Sequence, residues 1–414
     1  MNKIYTLENG LKVVFYQDKT KHIVMANLFV KFGGNNKKFY SDQEYTIKNG
    51  TAHFIEHLLI EHSIYGNSMT EFEKNNTISN GFTTKDTTEF YVNIVNDYLK
   101  EIEKLINIVN NPCFKKEDIE ETRKAIIKEK MMSKDNYFVE LEKINYECLF
   151  KNIKYPNILG EVKDIEKISY EEIKKCYETF YQPKNQILII SGNFNIEKVE
   201  ELIEKTYKKL NKPNIDYQVE KIKEENKIVK NYSFIKKDVN MDYVSINYKI
   251  NIEKYKKIKL LNLMSYISYF LDTIFGPTSK LYSELVKNNI CSYNINYNFD
   301  IIDKFLIIKV GNYTNKDKEF IRYINEEINK RKVDKEMFLI KQKQSIIRLI
   351  LREDSLFSML EPFIENIIEY DYYKMDKIKD IEKLTFEEYS KKINELDFSN
   401  YCITKIIKED SWKK

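Results

Sequence analysis

Three of the chain's four histidines fall within fourteen residues, NGTAHFIEHLLIEH at 49–62, and their spacing decides what they can do. On an α-helix His53, Glu56, His57 and Ile60 share one narrow face, while Phe54, Ile55, Leu58 and Leu59 take the opposite one. Two imidazoles at i and i+4 can grip one metal ion, with the carboxylate of Glu56 beside it. Zinc accepts two histidine nitrogens and a carboxylate oxygen in a tetrahedral site and leaves the fourth position to water. A nearby carboxylate then suits general-base attack on a peptide carbonyl, the role read for Glu56. His62 falls on the other face and reads as a helix-end or packing histidine. A metal-free pair of helix histidines is the alternative; with four histidines in 414 residues, a chance HxxEH arises at below about 1%.

The pair needs a third ligand. Glu129 in ETRKAIIKEK is the leading candidate, on a helical face with Asp118, Thr122 and Ala125, where small Thr122 and Ala125 let two helices approach. Glu121 is the second candidate, and spacing alone leaves the choice open.

The elements that must hold these residues follow from periodicity. LKVVFYQ and IVMANLFVKFG, joined by QDKTKH, read as strands of an antiparallel meander. A helix at 50–62 follows, then a strand pair over 81–95, helices near 97–109 and 117–134, a helical stretch at 164–180, a buried strand at 185–194 and a helix at 195–210. This order predicts an α+β domain over 1–210, and the HxxEH helix within it makes this the expected catalytic, zinc-binding domain. Polar, weakly periodic 211–231 reads as a linker, and 232–414 as a second, non-catalytic domain. There a strand YVSINYKI, a helix over 254–274 and a strand pair ending in FLIIKVGNY repeat the order, so the unit is duplicated. Aligning the halves on Gly66 and Gly276 sets His53, Glu56 and His57 opposite Leu263, Tyr266 and Ile267.

Composition adds exclusions. A hydrophobic content of 42% is too high for a disordered chain, and 68 Lys plus Arg against 64 Asp plus Glu gives only +4, no nucleic-acid signature. No run of about 18 apolar residues predicts a membrane span, and the N-terminus lacks a secretory signal pattern. Five scattered cysteines without CxxC spacing fit a reduced, cytoplasmic protein.

With these motifs in order, the chain resembles the pitrilysin/insulinase (M16) family of inverted-motif zinc peptidases. The resemblance runs through YTLENGLKVVF, GTAHFIEHLL, AIIKE, NGFTTKDTTEFY, YQPKNQILIISGNF and GPTSKLYSELVKNNICSYN. In size it resembles the short-chain branch that holds mitochondrial processing peptidase subunits and bacterial relatives. The resemblance implies two homologous α+β domains, each a mainly antiparallel sheet packed with helices, in the LuxS/metallopeptidase-like manner. It implies zinc on His53, His57 and Glu129, and Glu56 as base. Asn80, Gly81 and Phe82 fall on the edge strand that binds substrate backbone by strand addition. Tyr293 falls where the family has a substrate-reaching tyrosine.

Two positions depart from the pattern. Val286 stands where the family carries an arginine seven residues before that tyrosine, with Lys287 adjacent. Thr122 stands where the family often has a carboxylate N-terminal to the third ligand on its helix. The expected activity is zinc-dependent cleavage of short or unfolded peptides, including precursors of ribosomally made peptides. The missing arginine favours a heterodimer with a related partner subunit over a homodimer. The competing reading is a non-catalytic peptide-binding or structural subunit.

Overall fold

The computed structural model describes residues 2–132, 136–210, 212, 214–255, 257–291, 294–373 and 377–409. The chain forms two compact units, Met1–Asp135 with Pro156–Lys221, and Asn136–Tyr155 with Ile222–Lys414.

In the first unit the order is β1 (Asn2–Thr6), β2 (Lys12–Gln17), β3 (Val24–Val30), β4 (Lys38–Tyr40), β5 (Glu44–Thr46), α1 (Thr51–Glu61), α2 (Ser68–Glu73), β6 (Ile78–Thr83), β7 (Thr88–Ile94), α3 (Tyr98–Asn110) and α4 (Asp118–Met132). The chain then gives α5 (Tyr137–Leu149) to the second unit and returns with α6 (Val162–Ile165), α7 (Tyr170–Phe180), β8 (Gln186–Gly192), α8 (Ile196–Lys209) and β9 (Gln218–Val219). Six strands form one sheet in the order β1-β2-β8-β3-β7-β6, and β5-β4-β9 form a small second sheet.

The expected meander of β2 and β3 is corrected by this order. β8 lies between them, parallel to β2 and antiparallel to β3. Every residue of QILIISG in β8 is buried, and only a central strand can hide both faces of so apolar a segment. Val13, Leu188, Leu28 and Phe90 line up across four strands and are buried together. The row ends at Gly81 on the edge strand β6. The apolar stripe of α1, Phe54, Ile55, Leu58 and Leu59, joins that core and turns the histidine face away from it.

The second unit contains α5, β10 (Tyr232–Lys237), β11 (Tyr243–Asn251), α9 (Lys257–Phe275), α10 (Lys280–Lys287), β12 (Asn296–Ile302), β13 (Phe305–Tyr313), α11 (Asp317–Lys330), α12 (Lys335–Arg352), α13 (Leu356–Tyr370), α14 (Lys377–Glu382), α15 (Phe386–Asn394) and β14 (Tyr401–Lys408), with helices α6 to α8 belonging to the first unit. Its sheet runs β10-β14-β11-β13-β12, with β10 parallel to β14 and the other pairs antiparallel. That is the order and sense of β2-β8-β3-β7-β6, so the two units share a topology. Leu263, Tyr266 and Ile267 of α9 are core residues.

The sequence reading kept 137–149 in the first domain. In the structure α5 belongs to the second unit, where buried Asn145 accepts hydrogen bonds from Thr404 Oγ1 (2.5 Å) and Asn247 Nδ2 (3.3 Å). The stretch expected to be a plain linker also contains an anchor. The Glu224 carboxylate accepts from the backbone N–H of Lys151, Asn152 and Ile153 and pairs at 3.2 Å with Lys249, both side chains fully buried. Lys249 also donates to Leu149 O at 2.7 Å and lies over the rings of Phe150 and Phe305. Among the described residues no helix is long and apolar enough to cross a membrane.

Burial opposes the charge of Glu224, but three backbone N–H groups and Lys249 outweigh it and hold the group at about 2. Its contribution to stability is complete above about 4.5 and is lost as the pH falls towards 2. Lys249→Met should destabilise the protein by about 3 kcal/mol in urea unfolding, because it strands a buried carboxylate. The double variant Lys249→Met/Glu224→Gln should recover most of that loss, and equal stability of the single variant and the wild type would refute the anchor.

Candidate metal centre

α1 begins without a side-chain cap of its own. Gly50 precedes it with φ 93°, and a Cβ there would lie 2.9 Å from Leu159 O, so only glycine makes this entry. The Glu172 carboxylate of α7 anchors this end of the helix, accepting from Thr51 Oγ1 and from Lys48 N–H, each at 2.9 Å. A carboxylate at this end also complements the helix dipole. Asn49 Nδ2 donates to Asp164 Oδ2 at 3.0 Å on the same turn. The first turn that carries His53 is thus tied to two other helices.

α4 brings the third donor. Ile119, Thr122 and Ile126 are its buried residues, whereas Ala125, expected at the helix contact, is exposed. Arg123 fixes its rotation: the guanidinium donates to the carbonyls of Ile165 and Ile168 and lies over the Phe54 ring of α1. Glu129 then faces the histidines, while Glu121 is exposed and outside the cluster.

His53 Nε2 and His57 Nε2 are 3.2 Å apart, and Glu129 Oε2 lies 3.7 Å from the first and 3.4 Å from the second. Ligands of a tetrahedral ion bound at about 2.0–2.1 Å stand roughly 3.3 Å from one another, so the triangle has the size such an ion needs. Two imidazole nitrogens and one carboxylate oxygen also match the donor preference of a borderline divalent metal. His53 is 7% exposed and, among the described residues, its Nδ1 has no hydrogen-bond partner, whereas His57 Nδ1 lies 2.9 Å from Glu61 Oε1.

Electrostatics favour a cation at this point. Burial opposes a charge on His57, but bonding to Glu129 and Glu61 outweighs it and lifts the group to about 9. Burial and the neighbouring charge of His57 take His53 down to about 4. Glu129 and Glu61 are both lowered, chiefly by hydrogen bonding to His57. Two ionised carboxylates therefore surround a single imidazolium.

Glu56 sits beside the triangle, 5% exposed, with Oε2 accepting from Thr83 Oγ1 at 2.6 Å. Burial raises it to about 7 against that hydrogen bond, within reach of proton exchange near neutral pH. A cavity of about 440 Å³ opens in front of these groups, and Asn67, Met69, Phe82, Thr83, Ile158 and Leu159 are among its lining residues.

The expected substrate residues are placed as follows. Asn80, Gly81 and Phe82 lie on β6, the edge of the sheet, and line the cavity. Asn80 Oδ1 accepts from the N–H of Gly81 at 2.9 Å. A Cβ at Gly81 would meet Ile60 Cδ1 at 2.8 Å and Glu56 Cγ at 3.4 Å, so the glycine lets α1 press its carboxylate against the strand. Tyr293 lies outside the described residues. Val286 is exposed on α10. His62 is the C-cap of α1, with Nδ1 3.5 Å from Asp118.

Sequence reasoning missed Glu61, Thr83 and Glu172. Glu61 follows His57 at i+4 and was within reach of the same helical argument; Thr83 and Glu172 come from elements whose approach no local pattern encodes.

Comparison with known proteins bears on the same residues. Residues 12–157 match the sequence family described as Insulinase (Peptidase family M16), and residues 167–338 match Peptidase M16 inactive domain. The zinc protease YmfH of Bacillus subtilis is 26% identical over 318 residues, 74% of this chain and 73% of that protein. The zinc protease PqqE of Helicobacter pylori is 25% identical over 414 residues, 93% of this chain and 89% of its own. An M16-like peptidase structure from Alicyclobacillus acidocaldarius shares the fold, with a TM-score of 0.89 at 20% identity over 99% of this chain and 98% of that one. His53, Glu56, His57 and Glu129 all fall in the stretch matching the first description, and the two matches follow one another along one chain. The chain belongs to peptidase family M16, the insulinase family.

Proposed function

We propose that the chain is a zinc-dependent endopeptidase acting on extended or unfolded peptides. The observation that carries the reading is the triangle of His53 Nε2, His57 Nε2 and Glu129 Oε2 with the Glu56 carboxylate beside it. His53, His57 and Glu129 would hold the ion. Bound zinc supplies Lewis acidity, which acidifies water and polarises a peptide carbonyl.

The remaining work belongs to the chain's own groups. Glu56, held by Thr83 and raised to about 7, accepts a proton from the attacking water and returns it to the leaving amine. The edge strand β6 aligns the substrate by backbone pairing, which requires an extended peptide and tolerates varied side chains. Peptide precursors of ribosomal origin, unfolded before processing, fit that requirement. The reading as a non-catalytic subunit gains no support from the matched inactive domain, because 167–338 contains none of the four site residues.

An apolar Val286 cannot do the work of an arginine, and we extend the proposal to a related partner subunit that supplies one. Five free cysteines are in keeping with a reducing, cytoplasmic setting. Native mass spectrometry of the complex from its source cell should find a second, different chain; a fully active assembly of two copies of this chain would rule that out.

Two further outcomes test the chemistry. The purified protein should retain about one equivalent of zinc, and His53→Ala should lose it, as metal analysis would show; stoichiometric zinc in that variant would move the site elsewhere. Glu56→Gln should keep zinc yet cleave an unstructured reporter peptide at least about 10²-fold more slowly. Retained cleavage in that variant would remove Glu56 from the mechanism.

A further inference from the structure

We infer that Glu61 is the positioning residue that orients His57 toward the metal, and that Thr122 of α4 is the donor that holds Glu61 in place. The inference rests on the zinc reading above and concerns how the ligand is held.

The geometry begins with an asymmetry between the two histidines. His53 is packed on nearly all sides, which holds its orientation, and among the described residues its Nδ1 has no hydrogen-bond partner. The His57 side chain is 22% exposed, so packing leaves its ring freer to turn. That ring is the one that meets a carboxylate, Glu61 Oε1 at 2.9 Å from Nδ1. With Nδ1–H donating to Glu61, Nε2 is the nitrogen that would give up its proton and offer its lone pair to a metal, and it is the atom that points at His53 and Glu129. The same bond sets both the tautomer and the rotation of the ring.

Glu61 is itself held. Its second oxygen, Oε2, accepts from Thr122 Oγ1 at 3.1 Å, and Thr122 is fully buried on α4. One carboxylate thus spans from the ligand on α1 to the helix that supplies the third ligand. His62 Nε2 lies 4.0 Å from the same oxygen.

Glu61 also occupies an unfavourable place for an acid. It is the last residue of α1, whose final turn has no basic side chain, and carboxylates are disfavoured at helix C-termini. Its hydrogen bonds to His57 and Thr122 offset that cost. A helix face selected only for stability would not need a carboxylate there, whereas a ligand on the preceding turn does. The acid stands on α1, and Thr122 of α4 is its donor.

The test is the zinc affinity of the purified full chain, read by competition with a chromophoric chelator at neutral pH. Glu61→Ala should weaken zinc binding about 10- to 100-fold, while the melting temperature of the metal-free protein in chelator stays close to that of the wild type. Glu61→Gln, whose amide oxygen still accepts from Nδ1–H, should recover most of the affinity. Thr122→Val should give a smaller loss, and it keeps the test open should the alanine variant fold poorly. Wild-type affinity in both Glu61→Ala and Thr122→Val would overturn the inference. A wild-type protein that binds no zinc would instead overturn the endopeptidase reading.

Discussion

Two imidazole nitrogens held 3.2 Å apart on a buried helix face converge on one point beside the Glu129 carboxylate, and positive charge is favoured there. Much of the first unit enforces this placement. The apolar stripe of α1 locks the helix rotation against the sheet, Glu172 fixes its first turn, and Arg123 fixes the approach of α4. Glu129 and Glu61 then provide negative charge around the point, while burial keeps Glu56 close to neutral pH in its proton affinity. The two carboxylates favour positive charge at that point, whether a proton on His57 or a divalent ion.

The second unit shows the same scaffold without that constraint. Its sheet repeats the strand order and the single parallel pair of the first, yet the positions aligned with His53, Glu56 and His57 are Leu263, Tyr266 and Ile267, all packed in the core. A helix in this fold therefore does not require polar residues on that face. Where the chemistry is absent, apolar packing takes over, and the polar face of α1 is a cost borne for a site.

The amino-acid pattern made some levels of this legible and hid others. Residue spacing sufficed for the helix carrying HxxEH, since i, i+3 and i+4 relations are local and the opposite face is uniformly apolar. The duplication was visible for the same reason, as a repeated order of local elements. Strand order was not visible: β8 begins at Gln186, 162 residues after the start of β3 at Val24, and inserts between β2 and β3 on long-range burial alone. The transfer of α5 to the second unit was equally hidden, because the amphipathic pattern of a helix does not name its partner sheet. At the site, Glu61 was readable from helical spacing, but Thr83 reaches Glu56 only through the register of β6 beside α1.

The most direct measurement is zinc K-edge X-ray absorption of the metal-loaded protein, because it reports the ligand set without relying on activity. The expected spectrum has two imidazole nitrogens, one carboxylate oxygen and one further oxygen in a four-coordinate shell at about 2.0–2.1 Å. A shell with sulfur at about 2.3 Å, or without imidazole scattering, would place the metal elsewhere and contradict the assignment of His53, His57 and Glu129.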